Sequence, residues 1–332
     1  YFNTKLYSGN SSTQSITGIN FQPDMTWIKA RSGTHGTENH NLYDSVRGAT
    51  KFLIPNGTTA STTDTNSLTA FDSDGFSLGT RTDVNGSAEY VAWNWKANGA
   101  GSANTDGSIT STVSANTTAG FSIVKFTTPS SGTMTIGHGL GAVPKVWLHK
   151  RLDGTENWQM YHQGIGNTKK LMLNSTGAEG TSAIWQDTTP TSSLMYLGDV
   201  ASVVNASANY IAYCFAEKAG YSKFGSYTGN ESTDGTFVFT GFSPAFVMTK
   251  RTDSTSDWLI CDNKRPGYNV INKKLFSNLS QAEDSYDSFD FVSNGFKIRS
   301  AGTGHNASGG NFIYMAFGQS LVGSNNVPCT AR

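Results

Sequence analysis

The side chains in this sequence that could carry chemistry are few and scattered. Six histidines, His35, His40, His138, His149, His162 and His305, include no pair at the spacing by which one strand or helix offers two ligands to a metal. Asp24, Asp44, Asp153, Asp187, Asp253 and Asp262 are candidates for the acid pair of a glycoside hydrolase, which sits about 5–10 Å apart across a cleft. None of them belongs to a catalytic motif, and no nucleophile elbow, P-loop or dinucleotide fingerprint is present. Asp72-Ser73-Asp74-Gly75 is a fragment of a calcium loop without the further oxygens and terminal Glu that such a loop needs. Asp72 and Asp74 therefore read first as a β-turn and only weakly as a Ca²⁺ site. Cys214, Cys261 and Cys329 are an odd, widely spaced set, which is no disulfide framework, and the first two lie in apolar runs as buried thiols. No cofactor and no catalytic residue is expected; the chain reads as a non-enzyme.

Other positions stand out because they recur. A proline precedes a lysine by six residues three times, at Pro23 and Lys29, Pro144 and Lys150, and Pro244 and Lys250, with an arginine just beyond at Arg31, Arg151 and Arg251. The three lysines are candidate ligand-binding groups, able to hold an anion or a sugar hydroxyl. The competing reading, preferred here, lays each stem along an aromatic row with its ammonium in water at a strand end. Trp158 and Trp258 share the next repeated position. Exposed, they would stack on sugar rings; the alternation of aromatics with polar residues favours a place in a core. His40 takes their position in the first copy, and His149 alternates with Trp147, so both read as packing residues.

The elements that would position these groups are repeated too. The landmark proline is followed by Asn39-His40-Asn41-Leu42-Tyr43-Asp44, Asn157-Trp158-Gln159-Met160-Tyr161-His162 and Asp257-Trp258-Leu259-Ile260-Cys261-Asp262. A third landmark begins at Tyr90, Tyr210 and Phe312, which lie 67, 66 and 68 residues after the proline. This order and spacing define units 1–98, 119–219 and 221–319, with 99–118 as a Gly/Ser/Thr/Asn-rich linker and 320–332 as a C-terminal tail. Within a unit the period is two: Tyr90, Ala92 and Asn94 point one way and Val91, Trp93 and Trp95 the other. Asn56-Gly57, Asp74-Gly75, Asn85-Gly86 and Asn294-Gly295 mark turns. Residues 44–50 and 272–278 are the few stretches that could form a turn or two of helix. The fold expected is all-β, three tandem homologous β-sandwich domains of jelly-roll or lectin-like type. A piece cut at 221–332 is expected to fold alone.

Composition narrows the function. The chain has 332 residues, with 24 Lys+Arg balancing 24 Asp+Glu, only 14% charged residues, 12% aromatics and 36 glycines. Zero net charge gives no basic excess for nucleic acid, and no apolar run is long enough for a membrane span. The aromatics argue against disorder. No signal-peptide pattern is visible, and a start at Tyr1 fits a processed or trimmed end.

Several segments together resemble a known group. They include Phe21-Gln22-Pro23-Asp24-Met25-Thr26-Trp27-Ile28-Lys29-Ala30-Arg31, Tyr43-Asp44-Ser45-Val46-Arg47-Gly48, Phe71-Asp72-Ser73-Asp74-Gly75-Phe76, Asn104-Thr105-Asp106-Gly107-Ser108-Ile109 and Tyr221-Ser222-Lys223-Phe224-Gly225-Ser226-Tyr227-Thr228-Gly229-Asn230. The chain is similar over nearly its whole length to repetitive virion structural proteins of marine and cyanobacterial tailed bacteriophages, of tail-fibre or capsid-appendage type. That resemblance implies a virion or extracellular location and no catalytic residues, and the leading expectation is a display protein that mediates assembly or adheres to a host surface glycan. The resemblance implies as partners other virion proteins or further copies of the chain. These would form a homo-oligomer such as a trimer, unless the three units make a pseudo-threefold body within one chain. The alternatives are a secreted bacterial carbohydrate-binding or adhesin module and, third, a glycan depolymerase.

Overall fold

Strand Glu89–Trp95 carries the logic of the architecture. Its two alternating sets are both buried and mainly apolar, Val91, Trp93 and Trp95 on one face and Tyr90, Ala92 and Asn94 on the other. Such a strand is stable only in a sheet covered on both sides. The computed structural model, which describes residues 1–129, 131–205 and 207–318, is built from sheets of this kind.

Five strands recur in each of three antiparallel sheets. In the first, β1 (Phe2–Ser8), β2 (Met25–Ala30), β3 (Asn41–Asp44), β4 (Lys51–Leu53) and β5 (Glu89–Trp95) lie in the order β1-β5-β2-β3-β4. In the second, β6 (Phe121–Thr127), β7 (Pro144–Arg151), β8 (Gln159–His162), β9 (Lys169–Met172) and β10 (Asn209–Ala216) run β6-β10-β7-β8-β9. In the third, β11 (Ser222–Thr228), β12 (Pro244–Arg251), β13 (Leu259–Asp262), β14 (Ile271–Phe276) and β15 (Asn311–Gly318) run β11-β15-β12-β13-β14. The registers correspond: Met25 faces Asp44, Val146 faces His162 and Phe246 faces Asp262.

Each sheet has an outer core of its own. Over the first, strands Gln14–Thr17, Leu68–Asp72 and Gly75–Leu78 press Ile16, Leu68 and Phe76 against Ile28, Tyr43 and Tyr90. Over the second, Met134–Gly137 and Leu194–Leu197 cover Trp147, Tyr161 and Tyr210. Over the third, Phe237–Phe239, Asp284–Val292 and Gly295–Ile298 do the same, and Asp284–Val292 continues the main sheet past β14.

The inner faces have no cover except one another. Trp27, Leu42, Val91 and Trp93 of the first sheet, Leu148, Trp158, Met160 and Tyr213 of the second, and Met248, Trp258, Ile260 and Met315 of the third form one continuous core. At one end of it Phe2, Trp95, Phe215, Phe246 and Phe317 form an aromatic cluster with ring centroids 5.0–6.4 Å apart, in edge-on, tilted and stacked pairs. The body is a three-walled prism whose axis runs through shared side chains.

Two expectations need correction. Residues 99–118 do not act only as a linker: Ser102–Asn104 and Ser111–Asn116 are strands that widen the second sheet beyond β6, with Val113 facing Val124. Ser111 and Val113 are buried there, so alternation over only three positions was enough to recruit the segment. Residues 272–278 are not helical. Ile271–Phe276 is a strand that buries Ile271 and Leu275, and Lys274 pairs across to Asp284 at 3.2 Å. Residues 44–50 close one turn, Gly48 N donating to Asp44 O. The tail 320–332, with Cys329, lies outside the described residues. Among the described residues no helix is long and apolar enough to cross a membrane.

Candidate functional site

The repeated positions meet at the three seams between sheets. Trp158 Nε1 donates to Ile54 O and Trp258 Nε1 to Met172 O, each at 3.0 Å. In the first copy His40 does the same work. Trp27 Nε1 donates to His40 Nδ1 at 2.9 Å, so the ring proton sits on Nε2, which reaches Phe276 O and Leu279 O at 3.0 and 3.1 Å. Each side chain therefore clasps the backbone of the neighbouring sheet, and the clasps run cyclically: second to first, third to second, first to third. Trp158, Trp258 and His40 are all buried. The sugar-stacking role considered for the tryptophans is corrected on that ground: their rings have no open face.

The lysines are corrected in a different way. Lys29, Lys150 and Lys250 are buried to the ammonium, neither snorkelling into water nor open to a ligand. Lys150 Nζ donates to Thr58 O across the seam and to Arg151 O, both at 3.0 Å. Lys250 Nζ donates to Thr176 O across the seam at 3.2 Å and to Arg251 O at 2.6 Å. Lys29 Nζ donates to Ala30 O and to Gly36 O, at 2.7 and 2.6 Å, within its own sheet's turn. Burial pulls all three down to about 8.

A third clasp was not anticipated. Asp44 accepts from Tyr213 OH of the second sheet at 2.7 Å, and Asp262 accepts from Trp93 Nε1 of the first at 3.0 Å. His162, in the matching position, has Nδ1 accepting from Gly164 N and Nε2 bonded to Tyr314 O of the third sheet at 3.1 Å. Arg47 and Arg265 lie three residues after the aspartates and bond them through Nε at 2.5 and 2.6 Å. The identical Asp-x-x-Arg spacing was the signal in the sequence. Where His162 replaces the aspartate, Ile165 replaces the arginine, and this clasp has no Asp–Arg pair. The first and third sheets carry one more link, Arg31 gripping Glu283 through Nε and Nη2 at 2.9 Å.

Asp72 and Asp74 belong to turns rather than to calcium. Asp72 accepts from Ser77 Oγ at 2.7 Å, and Asp74 ties down the backbone of Gly18 and Asn20 at 3.0 and 2.5 Å. Among the described residues no group of three His, Cys, Asp or Glu could hold a metal. Asp24 caps Ala97 N and Gly99 N, and Asp153 and Asp253 accept from Arg151 and Arg251. The carboxylate pairing of a hydrolase does not appear in the four surface grooves described, of which one holds a single carboxylate, Asp153. Cys214 and Cys261 are buried free thiols, and burial pushes both up to about 12.

The remaining candidate is a groove at the seam of the first and second sheets, walled by Lys51, Thr63, Lys125, Leu152, Asp153 and Asn209 above a floor of Arg47 and Ser61. It continues past Lys125 and Asn209 into a second depression lined by Thr110, Thr112 and Thr127.

Neither a curated protein nor a solved structure matches the chain. One family profile, described as a domain of unknown function (DUF7483), matches residues 1–320 and so spans all three sheets. The chain is a member of the DUF7483 family.

Proposed function

We propose that this chain is a non-catalytic surface-appendage protein of a virion that adheres to a host glycan. The observation that carries the reading is the single core shared by three sheets. It spends the repeated aromatic, lysine and aspartate positions on locking the body together, which leaves the outside as turns and strand edges rich in hydroxyl and amide groups. A rigid scaffold with a polar exterior and zero net charge suits display and contact with sugars. The sequence resemblance to phage appendage proteins supports the same reading. Immunogold labelling of purified particles with an antibody to the chain is the test. Label on an external appendage is the expected result. A chain found only in the secreted fraction of a bacterium would replace the virion reading with the secreted adhesin.

A further inference from the structure

The three seams are built alike but charged differently. At the seam of the first and second sheets Lys51 and Lys125 wall the groove, and among the described residues neither makes an ion pair or side-chain hydrogen bond. The other charges there are already met. Arg47, with a side chain only 2% exposed, is held by Asp44 and donates to Ser61 Oγ at 3.1 Å. Asp153 accepts from Arg151 through Oδ1 and from Asn209 N through Oδ2. The groove is left with two uncompensated positive charges in a chain of zero net charge.

The matching positions at the other seams are either engaged with neighbouring side chains or replaced. Lys169, the counterpart of Lys51, is paired with Glu179, and Ser226 stands where Lys125 does. Lys273 donates to Ser285 Oγ at 2.8 Å, Leu6 takes the place of Lys125, and Arg265 is locked by Asp262 and Glu283.

We propose that the seam groove between the first and second sheets binds an acidic polysaccharide, its carboxylate or sulfate groups meeting Lys51 and Lys125 and its hydroxyls meeting Asn209 and Thr127. This rests on the adhesive reading above and names its ligand class. An open groove that runs on into a hydroxyl-lined depression suits a chain of sugars better than a compact anion. Two lysines without an exposed aromatic platform in the groove are too little for a nucleic acid strand, which demands a longer cationic track and base stacking.

The test is titration of the full chain with oligogalacturonate and with dextran sulfate, beside unmodified dextran and single-stranded DNA. At least one of the two acidic sugars is expected to bind, more weakly as salt is added. The double variant Lys51→Gln/Lys125→Gln should lose about tenfold or more in affinity, since each charge-assisted contact contributes on the order of a tenfold factor. The control Lys169→Gln/Lys273→Gln should bind as the natural chain does. The assignment is overturned if the first variant binds normally, if the control loses as much, or if DNA binds as tightly. Binding of plain dextran at equal strength also overturns it but leaves the adhesive reading standing. Silence toward every sugar on a glycan array removes both.

Discussion

Trp258 shows how much one side chain does. Its indole fills the shared core while its N–H closes a seam on Met172 O. Trp258→Ala should cost about 3–5 kcal/mol by opening a cavity in the core. Trp258→Phe keeps most of the volume and removes only the indole bond, Met172 O still accepting from Ser175 N at 3.2 Å, so it should cost about 0.5–1.5 kcal/mol. Urea unfolding of the two variants separates the contributions; a Phe variant as stable as the natural chain would mean that the hydrogen bond is idle. The position itself could be read from the repeats, since His40, Trp158 and Trp258 align. Its partner could not. A backbone carbonyl 86 residues away has no residue type to recognise, so packing was legible and the clasp was not. The lysines failed for a related reason: a repeated Lys looks like a surface residue until two carbonyls are seen enclosing its ammonium.

The strands were legible and their assembly less so. Alternation separated Val91, Trp93 and Trp95 from Tyr90 and Ala92 correctly, and the repeat landmarks fall on matching registers. Both sets are mainly apolar, however, and that double-sided pattern was the sign of a sheet covered twice. Assigning the aromatics to separate cores overlooked it. The consequence reverses the expectation for residues 221–332. Cut free, the third sheet would expose Phe246, Met248, Trp258, Ile260, Leu275, Ile313 and Met315 at once. That fragment should aggregate or self-associate, or show a disordered circular dichroism spectrum. A monomeric, β-rich fragment in sedimentation and circular dichroism would contradict the dependence of each sheet on the others.

For the whole molecule, a shared core predicts one cooperative thermal transition, with calorimetric and van't Hoff enthalpies in agreement. Three resolved transitions would mean that the sheets unfold independently. Acid should weaken the body. Burial lowers His40 and His149 to about 3 and His162 and His305 to about 4, from an ordinary value of 6.5. Below pH 6.5 the unfolded chain takes up protons that the folded chain refuses, so this stability is fully present above 6.5 and is lost progressively as pH falls through 4 to about 3. Urea midpoints should drop between pH 7 and pH 5, and His162→Gln should flatten the drop. A midpoint that does not move would exclude these histidines as the cause.

The ring of seams has a consequence for how such a protein can change. In an assembly of identical chains, every substitution is copied to each interface, so a new charge at one seam must be tolerated at all of them. Here the three walls are one polypeptide, and each seam mutates alone. One is sealed by Arg31, Glu283 and Arg265, and one has His162 and Ile165 in place of an Asp–Arg pair. The third was free to keep Lys51 and Lys125 unpaired while the others held the body closed.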